Sequence, residues 1–339
     1  HGNEGHKGIT TCAAFSNNSK YFVTSGEDGC IYIYTINMDN INNFDIENDA
    51  KKFETEKVFE NKSIISFHKD IIKTICFSAD DKYIITGGED RFLLICGVED
   101  NSRKEIFGIN SIINSVDYSN VGNFLAVGKW DKSIEIYKDY SLIKILKHNK
   151  GFINKIKFSK NGKYLASASK DKTINIYDVE NNFENVRRIL ENNSTVYSID
   201  FSSDGKYFAS SNYEGLVYIY DISNNNFEKV KTIKGKESVY SLGFSPDSSI
   251  FVNIVENKLN VYSAVKSKFD KEISDTKDLN KDDYFISSMI NSSKKETLIV
   301  DLVRYENNYI PDLVIELCDF KTSKLSKIFE KELSIRHSP

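Results

Sequence analysis

The sequence predicts an all-β chain in which one small four-stranded antiparallel sheet is repeated along the polypeptide. Two observations carry this. First, a string recurs: two apolar residues, Phe-Ser or a near variant, a polar turn, an aromatic-apolar run, an acidic turn, then alternating apolar residues. Its leading aromatic falls at Phe15, Phe77, Tyr118, Phe158, Phe201 and Phe244, with spacings of 62, 41, 40, 43 and 43. Second, other positions stay in register with it. Thirteen residues on stands an acid in the first five copies: Asp28, Asp90, Asp131, Asp171 and Glu214. Nineteen residues on come Tyr34, Cys96, Tyr137, Tyr177 and Tyr220, while the sixth copy is one residue shorter and reaches Tyr262. A fixed period of this length marks a repeat architecture.

The elements follow in order within the clearest copy. INKIKFS (153–159) alternates apolar and polar residues and is closed by the turn Lys160-Asn161-Gly162-Lys163. KYLASA (163–168) and TINIYD (173–178) alternate likewise and are rich in Tyr, Ile and small residues, as strands are. Ser169-Lys170-Asp171-Lys172 forms the tight turn between them, and RRILE (187–191) supplies a fourth strand. Such a sheet alone would leave an apolar face in water, so it must stack on its neighbours.

Composition narrows the class. With 339 residues, 40% hydrophobic and 28% charged, the chain can bury a large core and is globular rather than disordered. No apolar run approaches the ~18 residues of a membrane helix, and the opening HGNEGHKGITTC is too polar for a signal peptide. A net charge of −4 and a pI near 5.9 argue against bulk nucleic-acid binding. The five cysteines are odd in number and none is spaced CxxC. That predicts reduced thiols in an intracellular, cytoplasmic protein, with no metal and no cofactor.

The repeat resembles WD-repeat β-propellers. HNKGFINKIKFSKNGKYLASASKDKTINIYDV (148–179) and HKDIIKTICFSADDKYIITGGEDRFLLICGV (68–98) carry the resemblance best. It covers residues 6–263 strongly and 277–339 weakly. The signature Trp-Asp is Tyr-Asp in two copies and altered in the others, and the His slot is filled at His6, His68 and His148 only. The resemblance implies a single domain, a seven-bladed propeller with six clear repeats and one degenerate. The blades are expected near 6–60, 64–107, 108–147, 148–190, 191–233, 234–276 and 277–339. TLIVDLVRY (297–305), DLVIELCDF (312–320) and KLSKIFEKEL (324–333) supply the seventh; six blades plus an extension is the alternative. Residues 37–62 and 266–283 read as polar insertions, solvated loops or contact arms.

His148, Ser167 and Asp171 superficially form a catalytic triad. The set recurs as His68, Thr86, Asp90 and as His6, Thr24, Asp28. An active site need not be built three times, whereas a structural network must recur in each blade. In the resembled family the acid accepts a hydrogen bond from the His, the His from the hydroxyl, and the hydroxyl from an aromatic donor. Tyr34 and Tyr177 can take that last role; Cys96 is a poorer donor, so the second blade should have the weaker network. No GxSxG, HExxH, GxxxxGK[ST] or GxGxxG is present, and the protein reads as non-enzymatic.

The resemblance also implies a ligand-docking top face. It is built at positions four and six before the repeated aromatic and one before the turn acid. The first set is Thr11, Lys73, Asn114, Asn154, Tyr197 and Tyr240; the second is Ile9, Ile71, Ile112, Phe152, Thr195 and Ser238; the third is Glu27, Glu89, Trp130, Lys170 and Tyr213. Trp130, Phe152, Tyr197, Tyr213 and Tyr240, with Lys170 among them, would line an arc over blades three to six. Lys73, Glu27 and Glu89 would flank it. Exposed aromatics suit protein-binding hot spots. The expected function is a scaffold that binds a protein or peptide segment, within a larger complex or a longer chain. The alternative is a ligand-sensing or phosphate- and nucleic-acid-binding propeller, which requires a concentrated charge cluster at the channel mouth.

Overall fold

A computed structural model describes residues 6–37, 59–106, 109–190, 192–255, 258–264, 269, 283–291, 297–305, 313–319 and 324–331. They form seven antiparallel sheets and no helix. The first holds β1 (Thr10–Phe15), β2 (Tyr21–Gly26), β3 (Cys30–Ile36) and β4 (Phe59–Ser66). The second holds β5 (Ile72–Phe77), β6 (Tyr83–Gly88), β7 (Leu93–Gly97) and β8 (Arg103–Ile106). The third holds β9 (Ile113–Tyr118), β10 (Phe124–Lys129), β11 (Ile134–Lys138) and β12 (Ser141–Leu146). The fourth holds β13 (Ile153–Phe158), β14 (Tyr164–Ser169), β15 (Ile174–Asp178) and β16 (Glu184–Ile189). The fifth holds β17 (Val196–Phe201), β18 (Tyr207–Asn212), β19 (Leu216–Asp221) and β20 (Glu228–Lys234). The sixth has three described strands, β21 (Leu242–Phe244), β22 (Ile250–Val255) and β23 (Lys258–Ser263). The seventh holds β24 (Asp283–Asn291), β25 (Thr297–Tyr305), β26 (Leu313–Asp319) and β27 (Lys324–Lys331).

Within each sheet the strands lie in chain order. The first strand of each sheet packs against the first strand of the next, from β1 through β5, β9, β13, β17 and β21, and β24 touches both β21 and β1. That order is compatible with a closed ring of seven blades. From the first sheet to the sixth, the apolar residues of one sheet meet those of the next: Ile174 and Ile176 pack with Val196, Ile199 and Phe201, all buried. Each such side chain contributes roughly 1.5–3 kcal/mol.

The Phe-Ser of the repeat has a physical reason. The Ser after the aromatic is buried and closes the turn that follows. Ser78 Oγ donates to Asp80 Oδ1 at 2.7 Å and accepts the Tyr83 N–H at 3.0 Å. Ser16, Ser159, Ser202 and Ser245 repeat the pair of bonds with Asn18, Asn161, Asp204 and Asp247.

A second recurring device escaped the sequence reading. Tyr140, Phe183, Phe227 and Phe269 each adopt a left-handed backbone, with φ of 64°, 58°, 50° and 45°. Each ring turns back onto an aromatic of the preceding sheet: Tyr83, Phe124, Tyr164 and Tyr207, at centroid distances of 6.0, 5.2, 5.4 and 5.0 Å, edge to face. The left-handed conformation costs a non-glycine residue about 1–2 kcal/mol, which a buried aromatic contact more than offsets.

Three expectations change. The fourth strand of the fourth sheet is Glu184–Ile189, not 187–191, because Tyr177 and Asp178 pair with Asn185 and Glu184. Residues 59–62, assigned to an insertion, begin β4; residues 38–58 lie outside the described residues. In the segment 266–283, described only at Phe269 and Asp283, Phe269 is not solvated: it is 1% exposed against Phe244 and Phe251.

Candidate functional site

The recurring polar residues come together as expected in the first two sheets. His6 Nδ1 donates to Asp28 Oδ1 at 2.9 Å, and its Nε2 lies 2.9 Å from Thr24 Oγ1. An ionised carboxylate only accepts, so Nδ1 carries the proton; in the tautomer that leaves Nε2 bare, that nitrogen accepts from the threonine. Tyr34 hydrogen-bonds Thr24 in turn, and burial pushes its hydroxyl up to about 12. His68 repeats the arrangement, at 2.9 Å from Asp90 Oδ2 and 2.8 Å from Thr86 Oγ1. Cys96 is buried beside it but makes no bond to Thr86 among the described residues; the second network is shorter by one link. Burial alone would raise the Asp28 and Asp90 carboxyls. The imidazoles, with the N–H groups of Lys7 and Lys69, outweigh burial and hold both below the ordinary 3.8. Gly88 leaves no room for a side chain: a Cβ there would lie 2.1 Å from the Ile71 carbonyl oxygen.

The fourth sheet corrects the sequence reading. His148 is exposed, and the buried slot belongs to Asn149. Asn149 Oδ1 accepts from Ser167 Oγ at 3.3 Å and from Asn175 Nδ2 at 2.7 Å. Its Nδ2 donates to the Tyr177 hydroxyl at 3.5 Å. Asp171 therefore has no histidine partner among the described residues. It holds the Lys150 and Thr173 N–H groups instead. The signal was in the spacing: His6 and His68 stand 22 residues before their acids, and so does Asn149, whereas His148 stands 23 before. The same count finds Asn192 before Glu214, and Asn192 is buried with Asn212 Nδ2 3.4 Å from its Oδ1.

The third sheet replaces the network altogether. The slot holds apolar Ile109 and Val127. Buried Lys129 instead bridges Glu135 Oε1 at 2.6 Å and Asp131 Oδ2 at 3.2 Å, and the Tyr137 hydroxyl donates to Glu135 Oε2 at 2.6 Å.

The candidate docking residues lie beyond these clamps. In five sheets the residue before the turn acid gives its N–H to the carbonyl six before the repeated aromatic. The bonds are Glu27 to Ile9, Glu89 to Ile71, Trp130 to Ile112, Lys170 to Phe152 and Tyr213 to Thr195, at 2.8–3.0 Å. This fixes the loops that carry the side chains. Trp130, Tyr213 and Tyr240 are 46%, 58% and 38% exposed; Phe152 and Tyr197 are half-buried beneath them. The aromatics form two groups. Trp130 lies 5.1 Å from Phe152, over which Lys170 Nζ sits at 4.8 Å. Tyr197 lies 4.8 Å from Tyr240 and 6.3 Å from Tyr213. Lys73 and Glu89 are ion-paired at 3.0 Å, and the Glu27 carboxylate accepts the Ile9 N–H. Asn114 and Asn154 are turned into the fold: they donate to the Ile153 and Val196 carbonyls of the next sheet, at 2.9 and 2.7 Å.

Comparison with known proteins agrees with this geometry. The family described as WD domain, G-beta repeat matches residues 2–35, 59–95, 102–138, 140–178 and 184–221, together more than half of the chain. The chain belongs to the WD-repeat family. Repeats of this family generally act as scaffolds for protein–protein interaction. The chain is also similar to Protein HIR1 of Kluyveromyces lactis, 33% identical over 110 residues. That stretch is 32% of this chain and 12% of the relative. Among the described residues no helix is long and apolar enough to cross a membrane.

Proposed function

We propose that this WD-repeat protein is a non-enzymatic scaffold that grips a protein or peptide segment with the face carrying Trp130, Phe152, Lys170, Tyr197, Tyr213 and Tyr240. The observation that supports this most is the exposure of Trp130 and Tyr213 on loops already pinned by backbone hydrogen bonds. Rigid loops lose little entropy on binding, and clustered aromatics offer large apolar area with few rotamers to freeze. Lys170 adds one cation to the first aromatic group and the Lys73–Glu89 pair gives the neighbouring sheet a polar border. A segment with an apolar middle and an acidic residue near Lys170 fits this surface. The triads of the first two sheets serve as clamps: the fourth sheet fills the same slot with Asn149 and the third with apolar Ile109 and Val127, so the set is exchangeable. The test is affinity purification with the wild-type chain and with Trp130→Ala/Tyr213→Ala. The double variant is expected to melt at the wild-type temperature and to lose the recovered partners; unchanged recovery overturns the assignment of the face.

A further inference from the structure

The end of the central channel opposite the aromatic face carries a different chemistry. A cavity of about 400 Å³ lies there, lined by the C-terminal halves of the inner strands and the turns after them. Each inner strand must satisfy the N–H groups it turns toward the preceding sheet. In the second, third and fifth sheets side chains three or one residue before the repeated aromatic do this, whereas the first and sixth carry Ala14 and Gly243 at the latter position. Thr74 Oγ1 accepts from Val116 N at 2.9 Å, and Ser115 Oγ from Ile156 N at 3.1 Å. Asp117 Oδ2 accepts from Phe158 N at 2.6 Å, and Asp200 Oδ2 from Phe244 N at 2.8 Å.

The fourth sheet carries cations there. It places Lys155 and Lys157 at these two positions, and an ammonium only donates. The N–H of Ile199, which corresponds to those of Val116 and Ile156, is bonded to no side-chain acceptor among the described residues. Lys157 Nζ pairs with Asp117 Oδ1 at 3.1 Å, but Lys155 makes no ion pair among the described residues. Among the described residues Lys160, from the turn after the same strand, reaches only Asn17 Oδ1, at 3.4 Å. Donors are therefore gathered where neighbouring sheets place acceptors. Desolvation by the surrounding strand ends and the Lys157 charge push the Lys160 ammonium down although its side chain reaches solvent, and burial pushes the Asp200 carboxyl up; added negative charge would favour the Lys160 ammonium.

We propose that Lys155 and Lys160, backed by Lys157 and the Ile199 N–H, bind the phosphate group of a small phosphorylated molecule in this cavity. The volume falls in the range of small-ligand sites, roughly 300–1,000 Å³, and three lysines lining one cavity suit a multiply charged oxyanion better than a neutral ligand. The site is separate from the aromatic face, so either can fail without the other. The test is calorimetric titration of the full chain with tripolyphosphate, with sulfate as the control for general ionic effects. Saturable binding is expected, at least about tenfold weaker for Lys155→Gln/Lys160→Gln, since charge-assisted hydrogen bonds are lost. Asp200→Asn should tighten it, a direction that loss of folding cannot mimic. Absence of saturable binding, sulfate binding equally well, or equal affinity in the Lys155→Gln/Lys160→Gln protein overturns the proposal.

Discussion

The second and third sheets solve one problem with different chemistry. Both must tie the turn between their second and third strands to the rest of the sheet. The second uses an imidazole between Asp90 and Thr86. The third makes the slot apolar with Ile109 and Val127 and moves the polar contact two positions along, to Lys129, Glu135 and Tyr137. The difference teaches that the blade needs a paired interior, not a histidine. A residue set that can be exchanged wholesale while its sheet keeps the same strands is a structural device.

The largest expected effect lies in the third sheet. Lys129→Met leaves Glu135 buried with only Tyr137 as a donor and should cost about 3–5 kcal/mol, read as a lower unfolding midpoint in denaturant. Lys129→Met/Glu135→Leu removes both charges and should recover most of that loss; if it does not, the cluster holds more than its own charges. In the second sheet His68→Ala orphans the Thr86 hydroxyl and strips one donor from Asp90, which should cost about 2–4 kcal/mol. In the fourth, Asn149→Ala should cost about 1–3 kcal/mol, while His148→Ala should stay within about 0.5 kcal/mol. The reverse order would restore His148 to the clamp.

That pair shows how much the sequence disclosed. Strand positions were legible because alternation of apolar residues and the Phe-Ser turn repeat at fixed spacing. The candidate face was legible as positions, and Trp130 and Tyr213 are exposed while Asn114 and Asn154 are turned inward to the next sheet. His148 has the residue type of the slot but not its spacing: the histidine stands one place too early. The aromatics Tyr140, Phe183, Phe227 and Phe269 recur at steps of 43, 44 and 42, yet a left-handed aromatic in a turn has no propensity signal, so only packing shows what it does. Lys155, Lys157 and Lys160 read as ordinary strand and turn lysines until the ring places them in one channel.

The smallest effect concerns pH. The folded chain holds Asp28 and Asp90 below their ordinary value of 3.8. Their contribution to stability is present above the unfolded value and is lost as pH falls through the lower folded one. His68→Ala should move the Asp90 titration upward, seen by carboxyl NMR, and leave that of Asp131, which is lowered by Ser133 and Lys129 against burial, in place.

One paired measurement separates clamp from grip. Thermal unfolding and recovery of bound proteins are followed for His68→Ala and for Trp130→Ala/Tyr213→Ala. The expected result is that the first variant melts lower and, below its melting point, still recovers its partners, whereas the second melts as wild type and recovers none. A His68→Ala protein that keeps its melting temperature but loses its partners would contradict the assignment of these residues to structure rather than to recognition.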